Sequence, residues 1–236
     1  MAKAGLTSTL HNRLAKYSAM VCYRATFSDD LLVDGLQKQQ LGAKKRIAEL
    51  VSYIVNPFFI GVILILLVSL KATADLSGAI KWSLILTSFS IIPIFLLAVY
   101  LVRHKKLDSV FANVRRQRTN IYTLSLVLGG ISCGILIALN APSIILALFV
   151  ASFAVNVVFL CVNLRWKVSL HAAFTSGAAT MLFVLYGFVA MASVALIPLV
   201  AWARMELDHH SLGQAITGAL LPPSIMLVVF YFFGLV

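Results

Sequence analysis

Long apolar runs alternate with short polar connections along this chain, and their lengths predict helices that cross a bilayer. The first run extends from about Glu49 to Leu70 and the second from about Trp82 to Val102, joined by a segment holding Lys71, Asp75 and Lys81. Ile121 to Leu139 and Pro142 to Val162 follow, separated only by Asn140 and Ala141, which predicts a tight hairpin. The stretch from Ala172 to Ala203 is too long for one crossing of a ~30 Å hydrocarbon core. It is therefore expected to reverse near Tyr186 and Gly187 into two short helices. A last span begins near Leu212, and Pro222-Pro223 are expected to break or kink it, as Pro57 and Pro93 are expected to kink the first two. Strand-like alternation is absent, so the expected fold is an all-α polytopic transmembrane bundle of about seven spans, with six as the alternative.

Ahead of the spans, residues 1–48 form an N-terminal segment in which Leu6, Leu10, Leu14, Tyr17 and Val21 recur at helical spacing among Lys3, Arg13, Lys16 and Arg24. That pattern fits an amphipathic helix in the headgroup region, or equally an arm docked on the bundle. The segment has no apolar run of signal-peptide type and is expected to be retained. The expected organisation is this segment, two N-terminal helices over 49–103, and a core over 104–236.

Composition supports the membrane reading, since 61% hydrophobic against 11% charged residues is far too apolar for a soluble domain. A net charge of +11 raises nucleic acid as a partner, but no basic stripe interleaved with aromatics occurs, so none is expected. The cations instead collect in the N-terminal segment and in the connections after the second, fourth and sixth spans, with only Lys71 and Lys81 on the other face. The positive-inside bias then places the N-terminus and these connections in the cytoplasm and the C-terminus outside. Arg103, Lys105, Lys106 and Arg116 are expected to be headgroup anchors, and Trp82, Trp166 and Trp202 interfacial ones. Cys22, Cys133 and Cys161 have neither metal nor redox spacing.

The basic connections also carry the candidate chemistry: Arg115, Arg116 and Arg118 in one, Lys167, Ser169 and His171 in the next, and Arg204, Glu206, Asp208, His209 and His210 in the third. Ionisable groups are costly beside apolar spans and are tolerated mainly when paired or functional. Clustered guanidinium groups suit the oxygens of a phosphoryl group, while two histidines from separate loops can attack phosphorus and protonate the departing oxygen. The set suits phosphate-ester hydrolysis. A transporter ranks lower, because the span interiors are almost bare of ionisable groups.

Arg204-x5-His210-x3-Gln214, preceded by Ala203 and followed by Ala-Ile-Thr-Gly218, resembles the third motif of the type 2 phosphatidic acid phosphatase (lipid phosphate phosphatase) superfamily, Ser-Arg-x5-His-x3-Asp followed by small residues and Gly. Val168-Ser169-Leu170-His171 is similar to its second motif, Pro-Ser-Gly-His at the start of a helix. The first motif, Lys-x6-Arg-Pro, is echoed by Asp108, Arg115 and Arg118, with Thr119 where the motif has Pro and no Lys at the motif spacing. The likeness runs from about Asp108 to the end and marks a divergent member.

The resemblance implies that His210 is the nucleophile of a phosphohistidine intermediate and that His171 protonates the leaving group. It assigns Arg204, Arg118, Arg115, Lys167 and Ser169 to the phosphate oxygens, and Gln214 to the place of the carboxylate that orients His210. It implies no metal and no other cofactor. The substrate would be a lipid phosphate or polyprenyl (di)phosphate taken from the membrane, and a homo-oligomer is compatible with the sequence. The alternative is a catalytically impaired member that binds anionic lipid or a partner protein, for which Gln214 in place of Asp speaks. Glu206, four residues before His210, is expected to supply the missing charge if the helix continues that far.

Overall fold

The structure, a computed structural model, describes residues 42–111 and 114–236. The amphipathic pattern before residue 42 and Cys22 lie outside the described residues. Ile47–Val236 forms one compact unit. No strand occurs among the described residues. Five helical stretches are long and apolar enough to cross a membrane, or six if a bent pair is counted as one span.

That bent pair is α1 (Ala43–Ile54) and α2 (Pro57–Ala72), which meet at 40°. Pro57 does not kink a continuous helix; it opens a new one, where its missing N–H costs nothing. Asn56 serves both helices, since its Oδ1 accepts from Phe59 N at 2.9 Å and its Nδ2 donates to Tyr53 O at 2.7 Å. The next stretch joins α3 (Leu76–Leu86) to α4 (Ile92–Arg103) through a π turn over Thr87–Ile91. The wider turn, in which Ile92 N–H reaches back to Thr87 O, admits Pro93 without ending the helix.

α5 (Arg118–Ala138) and α6 (Ser143–Asn163) form the expected hairpin. Asn140 takes a left-handed conformation (φ 51°), and Ala141 N–H returns to Leu136 O at 2.9 Å, ending α5 on its own carbonyls.

Leu170–Glu206 is helical throughout its 37 residues, yet it doubles back. α7 (Leu170–Tyr186) stops at Gly187, whose φ of +62° a side chain would strain, and a 3-10 stretch over Gly187–Ala195 leads into α8 (Leu196–Glu206). α7 and α8 then pack side by side, and both pack on α9 (Leu212–Phe232).

α9 runs through Pro222-Pro223 without the break that was one of the two expected outcomes. Proline at 222 leaves the Gly218 carbonyl without its helical donor, and the Ser176 hydroxyl of α7 lies 3.4 Å from that oxygen. A neighbouring helix thus supplies a donor to one of the carbonyls the prolines free.

The main core lies in the half of the bundle away from the polar connections: Val68, Leu86, Leu136, Ile145, Met181 and Phe230 are all nearly inaccessible. Trp82 joins it and is 7% exposed, so it packs inward instead of anchoring at an interface. Trp166 is exposed. Phe59, Leu96, Ile137, Leu220 and Val228 stand outward, as lipid-facing positions do.

Candidate functional site

The turn between α8 and α9 builds the first half of the site. α8 ends at Glu206, Asp208 turns left-handed (φ 55°), and the N–H groups of His209 and His210 both point to Arg204 O, at 3.1 and 3.3 Å. The helix therefore does not reach His210, and Glu206 is not among the groups that act on that imidazole. Ser211 then caps α9 in a reciprocal box: its Oγ accepts from Gln214 N at 3.4 Å, and Gln214 Oε1 accepts from Ser211 N at 3.4 Å.

The same Gln214 Oε1 lies 3.0 Å from His210 Nδ1. A backbone N–H can only donate, so the Gln214 atom facing Ser211 must be oxygen, and the same atom faces the imidazole. His210 therefore donates from Nδ1 and keeps the lone pair on Nε2, which has no hydrogen-bond partner. A neutral amide can thus select the tautomer that a carboxylate would select. Burial, followed by the charges of Arg118 and Lys167, pushes the His210 pKa down to about 3, with the Gln214 bond opposing. At neutral pH the ring is uncharged and its Nε2 carries a lone pair not taken up by a proton.

The connection between α6 and α7 supplies the second half. Ser169, fully buried, caps α7 through Ala172 N, while its own N–H donates to Gln214 O at 3.1 Å. This joins the two motif-bearing turns directly. Gly218 makes the approach of α9 achievable, because a Cβ there would fall 2.5 Å from Ser169 O. His171, in the first turn of α7, is 1% exposed and lies within electrostatic reach of Arg204, His210 and Arg118. Its Nε2 likewise has no hydrogen-bond partner, and the ring of Phe111 packs edge-on against it, centroids 4.8 Å apart.

The cations occupy distinct positions. Arg118 opens α5 with only 2% exposure; its Nη1 donates to Val168 O, and its side chain also engages Tyr122. Arg204, equally buried, donates from Nη1 to Ser52 Oγ at 2.8 Å. Lys167 Nζ donates to His209 O at 2.6 Å, and burial with the charges of Arg118 and Arg204 lowers its pKa. His209 is half-buried, and burial, Arg204 and Lys167 lower its pKa too.

Arg115 is placed elsewhere. Its Nη1 donates to Asn163 O (2.7 Å) and Leu164 O, while Asn163 Nδ2 returns a bond to Arg115 O at 3.2 Å. This latches α6 to the start of α5, and Arg115 is not among the charges acting on either imidazole.

The structure thus assembles His210, Gln214, His171, Ser169, Arg118, Arg204 and Lys167 at one end of the bundle and holds Arg115 aside. Sequence reasoning missed Ser52, Asn163 and Phe111. Asn163 carried a signal, an amide at the end of an otherwise apolar span; Ser52 and Phe111 carried none. Asp108 is the acid that acts on Arg118 and Lys167, and Arg118 in turn acts on Arg204, so the site is cationic in balance. Two basic nitrogens beside such a cluster can take a phosphoryl group, one bonding phosphorus and the other handling a proton. Compared with protein-family models, curated proteins and solved structures, the chain finds no match in any of the three.

Proposed function

We propose that this protein is a membrane-embedded phosphatase that hydrolyses a lipid phosphate or polyprenyl (di)phosphate through a phosphohistidine, in the manner of the superfamily its motifs resemble. The observation that carries the reading is the state of His210: a buried, uncharged ring with Nδ1–H held by Gln214 and an unpartnered Nε2 among buried cations. Nε2 attacks phosphorus as the bond to the leaving oxygen breaks, and His171, which takes up a proton when the phosphate dianion enters beside it, gives that oxygen its proton. Arg118, Arg204 and Lys167 stabilise the charge on the equatorial oxygens. His171, now neutral, takes a proton from water, the oxygen of that water attacks phosphorus, and the N–P bond breaks to release inorganic phosphate and free His210.

In this reading the bent α1–α2 pair is one crossing and the doubled-back stretch is two, giving seven spans, with the site and the N-terminus on the cytoplasmic side and the C-terminus outside. The lipid tail would remain among the helices while the headgroup enters between the polar turns. A second reading, an anionic-lipid binder without turnover, is favoured by one observation. Gln214 selects the tautomer but carries no charge to stabilise the imidazolium that forms with the N–P bond.

Purified protein is expected to release inorganic phosphate from polyprenyl or diacylglycerol phosphate in the presence of chelator. His210→Ala should lower this by on the order of 10⁴-fold or more. Equal inactivity of both proteins on a broad lipid panel would hand the site to the binding reading, and chelator-sensitive turnover would point to a metal site. A reporter after Val236 appearing in the cytoplasm would refute the seven-span topology.

A further inference from the structure

Ser52 lies on α1, outside the region that resembles the phosphatase superfamily, yet it touches two of the groups the proposed chemistry needs. It is 6% exposed, its hydroxyl oxygen accepts from Arg204 Nη1 at 2.8 Å, and its main chain engages the His171 imidazole. Arg204 ends α8 and His171 begins α7, so one residue bridges the two termini that the doubled-back stretch brings together.

The surroundings give this contact rigidity. The 40° bend between α1 and α2 is set by Pro57 and held on both sides by Asn56, which fixes the direction in which α1 crosses the end of the bundle. The other buried residue of α1 is Ala48, four positions earlier, so it shares with Ser52 the face of the helix turned toward the protein. An arginine has several rotatable bonds, and a buried one acts on an anion at fixed geometry only when something holds its fork.

We propose that Ser52 is a positioning residue: it holds the Arg204 guanidinium and the His171 ring in register for a shared phosphoryl group, without contacting the substrate. This makes α1 part of the site. The inference rests on the phosphatase reading for its catalytic consequence, whereas its coupling to Arg204 is measurable by anion binding alone.

The test is a double-mutant cycle in lipid nanodiscs, using inorganic phosphate as the probe, with turnover of a polyprenyl phosphate measured in parallel. Ser52→Cys is only slightly larger but is a poor acceptor, so it should weaken phosphate binding and lower kcat by about 10-fold or more, with thermal unfolding little changed. Ser52→Thr, which keeps the hydroxyl, should restore most of both. In an Arg204→Lys background, Ser52→Cys should cost less than about twofold, because the partner it acts through is already lost. An equal cost in both backgrounds, or wild-type phosphate affinity in Ser52→Cys, overturns the proposal. Wild type that binds phosphate but turns over no lipid overturns the phosphatase reading alone, and wild type that binds no phosphate overturns both.

Discussion

At the end of the bundle remote from the imidazoles, the chain reverses at Asn140 and Gly187, both with positive φ, above a core of aliphatic and aromatic side chains. The cations there, Lys71 and Lys81, rest on aromatic faces, 5.7 Å from the Tyr186 ring and 5.5 Å from that of Trp82. At the opposite end the reversals are equally short, but they enclose Arg118, His171, Arg204 and His210, all of them buried. Helix hairpins of this kind therefore close without burying a charge. The buried cations are not required by the topology, and desolvating several like charges together is unfavourable unless an anion joins them.

Substitutions at the two ends should separate accordingly. The largest effect is expected from Gly218→Ala, whose new Cβ would meet the Ser169 main chain at 2.5 Å with no flexible side chain to yield. Displacement of α9 should cost about 1–3 kcal/mol in thermal unfolding and most of the phosphate affinity. Gly134, on the face of α5 with open space around it, offers the control: Gly134→Ala should be neutral or mildly stabilising. Similar outcomes for the two would dissolve the contrast.

A smaller effect is expected from pH. The folded state holds His210 near a pKa of about 3 against an ordinary value of 6.5, so between these limits the unfolded chain binds the extra proton. Stability should fall as pH drops through that window and level off below it. His210→Gln should flatten the pH dependence of the unfolding temperature there, and an unchanged slope would show that the imidazole is accessible to protons. Least of all should follow from Lys71→Ala at the far end, within about 0.5 kcal/mol and with phosphate binding untouched.

Much of this architecture was legible because apolar run length and connection length are local properties. The reversal at Gly187 followed from a stretch too long for one bilayer, and the hairpin at Asn140 from a two-residue connection. Proline was harder to read. Its consequence depends on who satisfies the freed carbonyl, and neither Ser176 beneath Gly218 nor the π turn before Pro93 has a sequence signature. The site divided in the same way. His171, Arg204 and His210 stood out by spacing, whereas Arg115 and Arg118, three residues apart, were indistinguishable until their directions were known. One latches α6 and the other enters the charge cluster. Ser52 could not be read at all, since its role comes from a contact 152 residues distant in the chain.

The reciprocal cap at the start of α9 has a consequence for how such a site tolerates change. Gln214 Oε1 answers to two donors at once, the Ser211 amide and the His210 ring, so helix initiation and proton placement share one oxygen atom. Fraying the first turn would leave the His210 imidazole free to move its proton to the other nitrogen, so damage there would change the tautomer long before it unfolded the protein.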